Sequence, residues 1–465
     1  MTCKSRAAVT ACLACVAAIV LPIAGCGGSK RSSPDGSPIP EFANASPGEA
    51  AAPVHLAETD WAGWRGLDRQ GAVDSPGSDE WSPAKTASWR VAVAGRGHAS
   101  PCVVGDRVFL ATADEHSQVQ SVVCYSAKTG ERQWSRDVHR GGFPNASQMH
   151  ERNTHASCTV ASDGHSVFCA FLNKSGIYVS AMDLDGKPLW QKEAGPFAPF
   201  YGYANSPAID GGFVYVLADS GKGGFQAAVD RGRGTMAWST PRAAGTSYSS
   251  PIVAEVAGRR QVIAAGCDTV ISYDAATGKE IWRCEGPSDT VSSTPIVSGD
   301  LVLVSGGYPQ TNVMCISATG TGDVTSSHVK WKHNVKVYVP SMIATGGHLY
   351  AVTDQGIGYC WSIDSGKQAW KSRLQGNFSA SLIRIGGKLL ACNEEGWLFV
   401  LAADAGRLKV ESKEQIADEI FATPAISGNH LFVRVARREN GARREELCCF
   451  PLAAASDRDS AASGE

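Results

Sequence analysis

The feature that most constrains this chain is a repeat. Eight times a short apolar strand opens near a Ser, Thr or Pro pair: at Ser100-Pro101, Ser157-Cys158, Ser206-Pro207, Ser250-Pro251, Thr294-Pro295, Pro340-Ser341, Ala380-Ser381 and Thr423-Pro424. Six units then close on a Trp, usually after a Gly turn. The closings are SAKTGERQW at Trp134, DLDGKPLW at Trp190, DRGRGTMAW at Trp238, DAATGKEIW at Trp282, a looser HVKW at Trp331 and DSGKQAW at Trp370. A seventh, DAGRLKV, has Val410 where Trp would stand. A period of roughly 40–55 residues marks a repeat architecture, whose units bury their apolar faces on one another.

Each unit reads as strands. In the stretch from Ser293, runs rich in Val, Ile and Leu are separated by Gly-Asp or Gly-Gly pairs, the chemistry of strand–turn–strand. Turns recur at Gly105-Asp106, Gly211-Gly212, Gly299-Asp300, Gly346-Gly347, Gly386-Gly387 and Gly428-Asn429. Outside the N-terminus no window shows a long 3.6-residue apolar period. Four short strands in each of eight units predict an all-β, eight-bladed β-propeller of four-stranded antiparallel blades. The recurring Trp is expected to fill the wedge between twisted blades. SWRVAV, with Trp89 in the closing position, precedes the first opening, and no terminal Trp strand follows Thr423. The last blade is therefore expected to be split, with residues 86–94 as its outer strand and 421–452 as the rest. Such a clasp removes two free sheet edges.

Outside the repeats, the N-terminus reads as an export signal. Lys4 and Arg6 precede the apolar AAVTACLACVAAIVLPIA, which ends in Ile23-Ala24-Gly25-Cys26. It is too short and too soon interrupted for a spanning helix. It resembles the bacterial lipoprotein signal, which implies lipidation of Cys26. Gly27 in place of Asp argues against inner-membrane retention. The expected organisation is 1–25 signal peptide, 26–58 lipid anchor and disordered tether, 59–85 a Trp-rich segment packing on the propeller, 86–452 the propeller, and 453–465 a disordered tail. The expected location is the cell envelope, lipid-anchored in the outer membrane and facing the periplasm. A net charge of −2 offers no basic field for nucleic acid.

Of fifteen Cys, Cys3, Cys12 and Cys15 leave with the signal and Cys26 carries lipid. The remaining eleven sit mostly in strand-like runs and read as small buried hydrophobes. There is no CxxCH haem motif. Cys448-Cys449 lies in a strand-like ELCCFP, where adjacent side chains point to opposite faces.

Two clusters fall outside the repeat frame. Between Trp134 and Ser157 runs SRDVHRGGFPNASQMHERNTHA, longer than the other links. It holds His139, Arg140, His150, Glu151, Arg152 and His155. The His spacing fits no metal motif, so a loop over the channel or against a ligand is the alternative to a plain insertion. The second cluster is Pro196-Phe-Ala-Pro-Phe-Tyr-Gly-Tyr203. It is either an aromatic rim for a partner or a loop tucked into the core. His150, Arg152, His155, Phe200 and Tyr201 are the candidate partner or ligand rim.

The closing motif D-x-x-T-G-K-x-x-W, seen as DAATGKEIW, resembles the hallmark of the PQQ-like (pyrrolo-quinoline quinone repeat) propeller family. The resemblance runs over about residues 61–450. WAGWRGLDRQGAV, HERNTHASCTVASDGHSVFCAF, GTGDVTSSHVKW and NFSASLIRIGGKLLACNEEGWLFVL resemble a bacterial lipoprotein branch similar to the outer-membrane assembly factor BamB. That resemblance implies a lipid-anchored scaffold with an envelope protein partner. The quinone enzymes of the family would imply a calcium site, an Asp base, a Trp platform and a vicinal disulfide. This set cannot be placed here: Asp289, Asp354, Glu394 and Glu395 all sit in turn contexts, and no D-x-D-x-D spacing exists for calcium. The repeat argues fold rather than chemistry. The expectation is a non-catalytic platform with no cofactor, no catalytic residue and no metal ligand. The alternatives are a PQQ- and calcium-dependent periplasmic dehydrogenase, or a glycan- or small-ligand-binding propeller.

Overall fold

A computed structural model describes residues 48–74 and 86–454, together with Phe42 and the short stretches 35–38 and 81–83. The expected signal peptide, Cys26 and the residues after 454 lie outside the described residues.

The repeat reading holds. Eight antiparallel sheets follow one another along the chain: blade one spans residues 102–141, blade two 161–196, blade three 208–242, blade four 252–285, blade five 296–333, blade six 343–373 and blade seven 383–415. Blade eight combines Ala425–Ser427, His430–Glu439 and Ala442–Ala454 with Trp89–Val93. Inside each blade the chain passes outward from a short first strand to the closing strand. The short first strands of successive blades adjoin around the axis, and blade eight meets blade one.

The openings build the innermost ring. Six of the eight opening residues donate their backbone N–H to the hydroxyl of the next: Ser100 to Thr159 at 3.0 Å, and Thr159 to Ser206, Ser206 to Ser250, Thr294 to Ser341, Ser341 to Ser381 and Ser381 to Thr423, these five at 2.9 Å. A small hydroxylated residue is needed because the site is dry and the N–H must find an acceptor. The ring also refines the sequence reading. Blade two joins it through Thr159, two residues after the expected Ser157.

The closings build the outer wedge. Trp134 lies under the turn of blade two and donates its indole N–H to Leu184 O at 2.9 Å. Trp190, Trp238, Trp331, Trp370 and Trp89 do the same to Arg231, Ala275, Ile363, Asp404 and Ala127 of the following blade, at 2.6–3.1 Å. This explains the Gly in the motif. Gly130 has φ +74°, and a Cβ there would lie 2.6 Å from the Trp89 indole. Gly186, Gly234, Gly278 and Gly366 face the preceding blade's Trp in the same way, all at positive φ. Trp282 departs from the pattern and donates to Gln261 within its own blade at 2.9 Å. The longer connection in blade five lays Gly322–Asp323 parallel against Trp282 and Arg283, which accounts for the looser sequence there.

The clasp is formed. Trp89–Val93 pairs antiparallel with Glu445–Cys449, and the Trp89 and Phe432 rings are 5.9 Å apart. Cys448 stands opposite Arg90 and Cys449 opposite Trp89. All eleven described cysteines are buried free thiols.

Candidate functional site

The two axial mouths differ, because the chain treats them differently. One is ringed by the turns that follow the short first strands. Across it lies the segment 57–73. Trp61 exchanges both backbone hydrogen bonds with Val103, at 2.8 and 2.9 Å. Further along, Gly71 O accepts from Arg384 N and Val73 O from Gly386 N. Residues 48–56 run up to this segment against the turns of blades three and two. Arg231 donates to Ala52 O, and His55 N donates to Asp163 O at 2.8 Å.

The opposite face is built by the links between blades, and both clusters singled out from the sequence belong there. The structure divides each of them. His139 and Arg140 are not loop residues: they close the outer strand Arg132–Gly141 of blade one, where His139 is fully buried. Its N–H finds no partner at Nδ1, while Nε2 lies 3.3 Å from the Gln191 amide. Burial pushes its pKa down to about 3. The link proper, 142–157, lies over this face. His155 is half-buried beneath it, stacked on Phe143 at 4.1 Å, with its pKa pushed down to about 4 by burial. Arg152 reaches the other way, to Glu394 in blade seven at 3.3 Å. Glu394 also accepts from Ser379 Oγ at 2.6 Å. The Arg152 carbonyl lies 3.1 Å from His98, which stacks on Phe421 at 4.6 Å. The link thus bridges blade two to blades seven and eight.

The aromatic cluster is split in two. Phe197 and Tyr203 are core, packed edge-on at 5.5 Å, with the Tyr203 hydroxyl donating to Leu217 O. Phe200 and Tyr201 stand out from the surface, 55 % and 43 % exposed. Tyr201 sits at φ +88°, a region that bulky side chains rarely occupy. Tyr201 N donates to Gln148 O at 2.9 Å, and Asn153 donates to Tyr201 O at 2.7 Å. The His150 ring meets Tyr201 edge-on at 5.2 Å. Gly202, at φ +83°, leaves room for Asn153 and Met149 to pass. The 142–157 link therefore holds the aromatic pair outward.

The ridge continues through residues that the sequence reading missed. The Tyr248 hydroxyl donates to Phe200 O at 3.0 Å. Tyr248 N donates to Val291 O, and Thr290 N donates to Tyr308 O, both at 2.8 Å. Tyr308 is 65 % exposed. Tyr338 packs against Gly307 beside it. Burial, with neighbouring tyrosines and Asp289, holds the Tyr248 and Tyr338 hydroxyls above the usual phenol range. The signal was present as lone Tyr residues before or within the openings of blades four and six and in a turn of blade five. Single residues 30–90 positions apart along the chain carry no local pattern.

The acidic candidates do not converge. Asp354 accepts the backbone N–H groups of Tyr338 and Val339 at 3.0 and 3.2 Å, a turn-fixing role. Glu394 is engaged by Arg152 and Ser379. Among the described residues no three His, Cys, Asp or Glu side chains are arranged to hold a metal. Cys448 and Cys449 lie inside blade eight, back to back across the strand.

Fold and surface define the class: an eight-bladed propeller with one mouth covered by its own N-terminal segment and an aromatic ridge on the other face. A family profile described as outer membrane protein assembly factor BamB matches residues 83–254 and 119–372. The chain belongs to this PQQ-like, BamB-type propeller family. It is 29% identical over 168 residues to the outer membrane protein assembly factor BamB of Alkalilimnicola ehrlichii, covering 34% of this chain and 42% of that protein. The chain thus spans less than half the length of this curated relative. Among solved structures it is similar to BamB from Moraxella catarrhalis, with a TM-score of 0.56 at 14% identity, covering 79% of this chain and 99% of that one. It is similar too to a europium-containing methanol dehydrogenase, with a TM-score of 0.64 at 11% identity, covering 85% and 98%. These structural likenesses establish the fold.

Proposed function

We propose that this chain is a non-catalytic, lipid-anchored platform of the bacterial cell envelope that binds a protein partner through the Phe200–Tyr201–Tyr308 ridge. The observation that carries the reading is an exposed aromatic row on rigid backbone, with Tyr201 fixed at positive φ by the 142–157 link. Aromatic side chains offer large contact area at low entropic cost, and interfaces are enriched in them. The name of the matched relatives, an outer membrane assembly factor, supports a protein partner. Anchoring at Cys26, with the propeller in the periplasm, follows from the lipoprotein-type signal. Phe200→Ser with Tyr201→Ser should abolish partner capture in pull-downs from solubilised membranes. The melting temperature should stay within about 2 °C, because the pair is exposed. Undiminished capture by the double variant, or a collapse in melting temperature, would defeat the reading.

A further inference from the structure

The segment 59–73 touches nearly every blade, and each contact is specific. Thr59 O accepts from Gly428 N of blade eight at 3.3 Å, and the Asp60 carboxylate accepts from Gly105 N of blade one at 2.9 Å. Ala62 O accepts from Ser162 N of blade two at 2.9 Å. The Trp64 indole N–H donates to the Thr294 hydroxyl of blade five at 2.7 Å. This contact lands on the innermost hydroxyl ring, on a residue that receives no ring bond from Ser250. The Arg65 guanidinium, 1 % exposed, donates to Met342 O of blade six at 2.7 Å and Leu382 O of blade seven at 3.1 Å. Arg69 donates to Ile209 O of blade three. The Gln70 side chain accepts from Val297 N at 3.0 Å.

The local backbone is built for this path. Arg65 and Arg69 sit at φ +62° and +61°, Gly66 and Gly71 at +82° and +74°. A Cβ on Gly71 would lie 2.8 Å from the Arg65 guanidinium, and one on Gly66 3.1 Å from the Trp61 ring. A buried cation with no carboxylate hydrogen-bonded to it is expensive unless its donors are met; the carbonyls of Met342 and Leu382, with Gln70 O of the segment itself, take the terminal N–H groups, while Nε has no partner. Burial lowers the Arg65 pKa to about 10.

We infer that the axial channel is a peptide-binding site whose ligand is the chain's own segment 59–73. The segment covers the axis itself on the turn face. What remains beside it is a groove of about 800 Å³ against blades two to five. The segment enters from the turn face, so the aromatic ridge lies on the face away from it.

A specific protease site placed within residues 75–80 of the detergent-solubilised full chain tests this. After cleavage the N-terminal fragment should remain with the propeller through size exclusion at micromolar protein. Arg65→Ala should weaken the cleaved complex at least a hundredfold. Trp64→Phe, which removes the indole N–H and its bond to Thr294 and keeps an aromatic ring there, should weaken it about tenfold and covers the case in which Arg65→Ala does not fold. Leu67→Ser, on the exposed side, should change it less than threefold. Release of the wild-type fragment on cleavage, or equal retention in the Trp64 and Leu67 variants, would overturn the inference.

Discussion

At the scale of single residues, burial decides which polar groups count. His139 stands in a row of titratable residues and is part of the blade-one core. Its folded-state pKa of about 3 lies below the ordinary value of 6.5. Above pH 6.5 it is neutral folded and unfolded, and contributes no pH dependence. Below 6.5 the unfolded chain takes up a proton that the folded chain refuses. Stability should then fall by about 1.4 kcal/mol per pH unit from this residue until about pH 3. His139→Gln should flatten the acid limb by that amount between pH 5.5 and 4.5 in urea titrations. An unchanged slope would mean that the ring is protonated in place.

At the scale of the element, the recurring unit is a blade plus its neighbour's turn. The Trp and Gly of the motif belong to different blades when they meet: the indole reaches forward and the Gly turn receives it. Trp190, 3 % exposed, is the clearest case. Trp190→Ala should cost about 3–5 kcal/mol, measured by chemical denaturation. Trp190→Phe should cost clearly less, since it keeps one six-membered ring in the wedge and loses the rest of the indole with its bond to Arg231 O. If the two variants cost the same, the hydrogen bond and not the wedge would be the stabilising part. The period and the Trp spacing made this element legible in the sequence. The link 142–157 was legible only as an excess of length. Its path to Glu394 and Tyr201 depends on blades that are remote in the chain.

At the scale of the whole molecule, closure is the governing event. Besides Trp89–Val93, a buried ion pair within blade eight reaches across to blade one. Arg434 of blade eight is held by Glu445 at 2.5 Å and donates to Ala111 O of blade one at 2.6 Å, while Gly97 N donates to Glu445 at 3.2 Å. Glu445→Ala leaves the Arg434 charge buried without its anion, which typically costs about 3–5 kcal/mol. The loss should appear as a lower unfolding midpoint with early hydrogen exchange in Trp89–Val93. Exchange beginning elsewhere, in blades four or five, would show that the seam is not the weak point.

Pattern alone determined the blade count, the strand content, the Trp wedge and the split last blade. Each rests on spacings that repeat within one unit, and local periodicity reports such spacings directly. The sequence could also point at Phe200 and Tyr201, because an aromatic run in a turn is conspicuous. It could not separate them from Phe197 and Tyr203, since three residues of turn geometry decide which rings face the core. Only the tertiary structure joined Tyr248, Tyr308 and Tyr338 to the ridge, and only it laid Trp61, Trp64 and Arg65 across the axis. Those contacts link positions 18 to 317 residues apart, and they exist only because a closed ring brings eight distant openings to one centre.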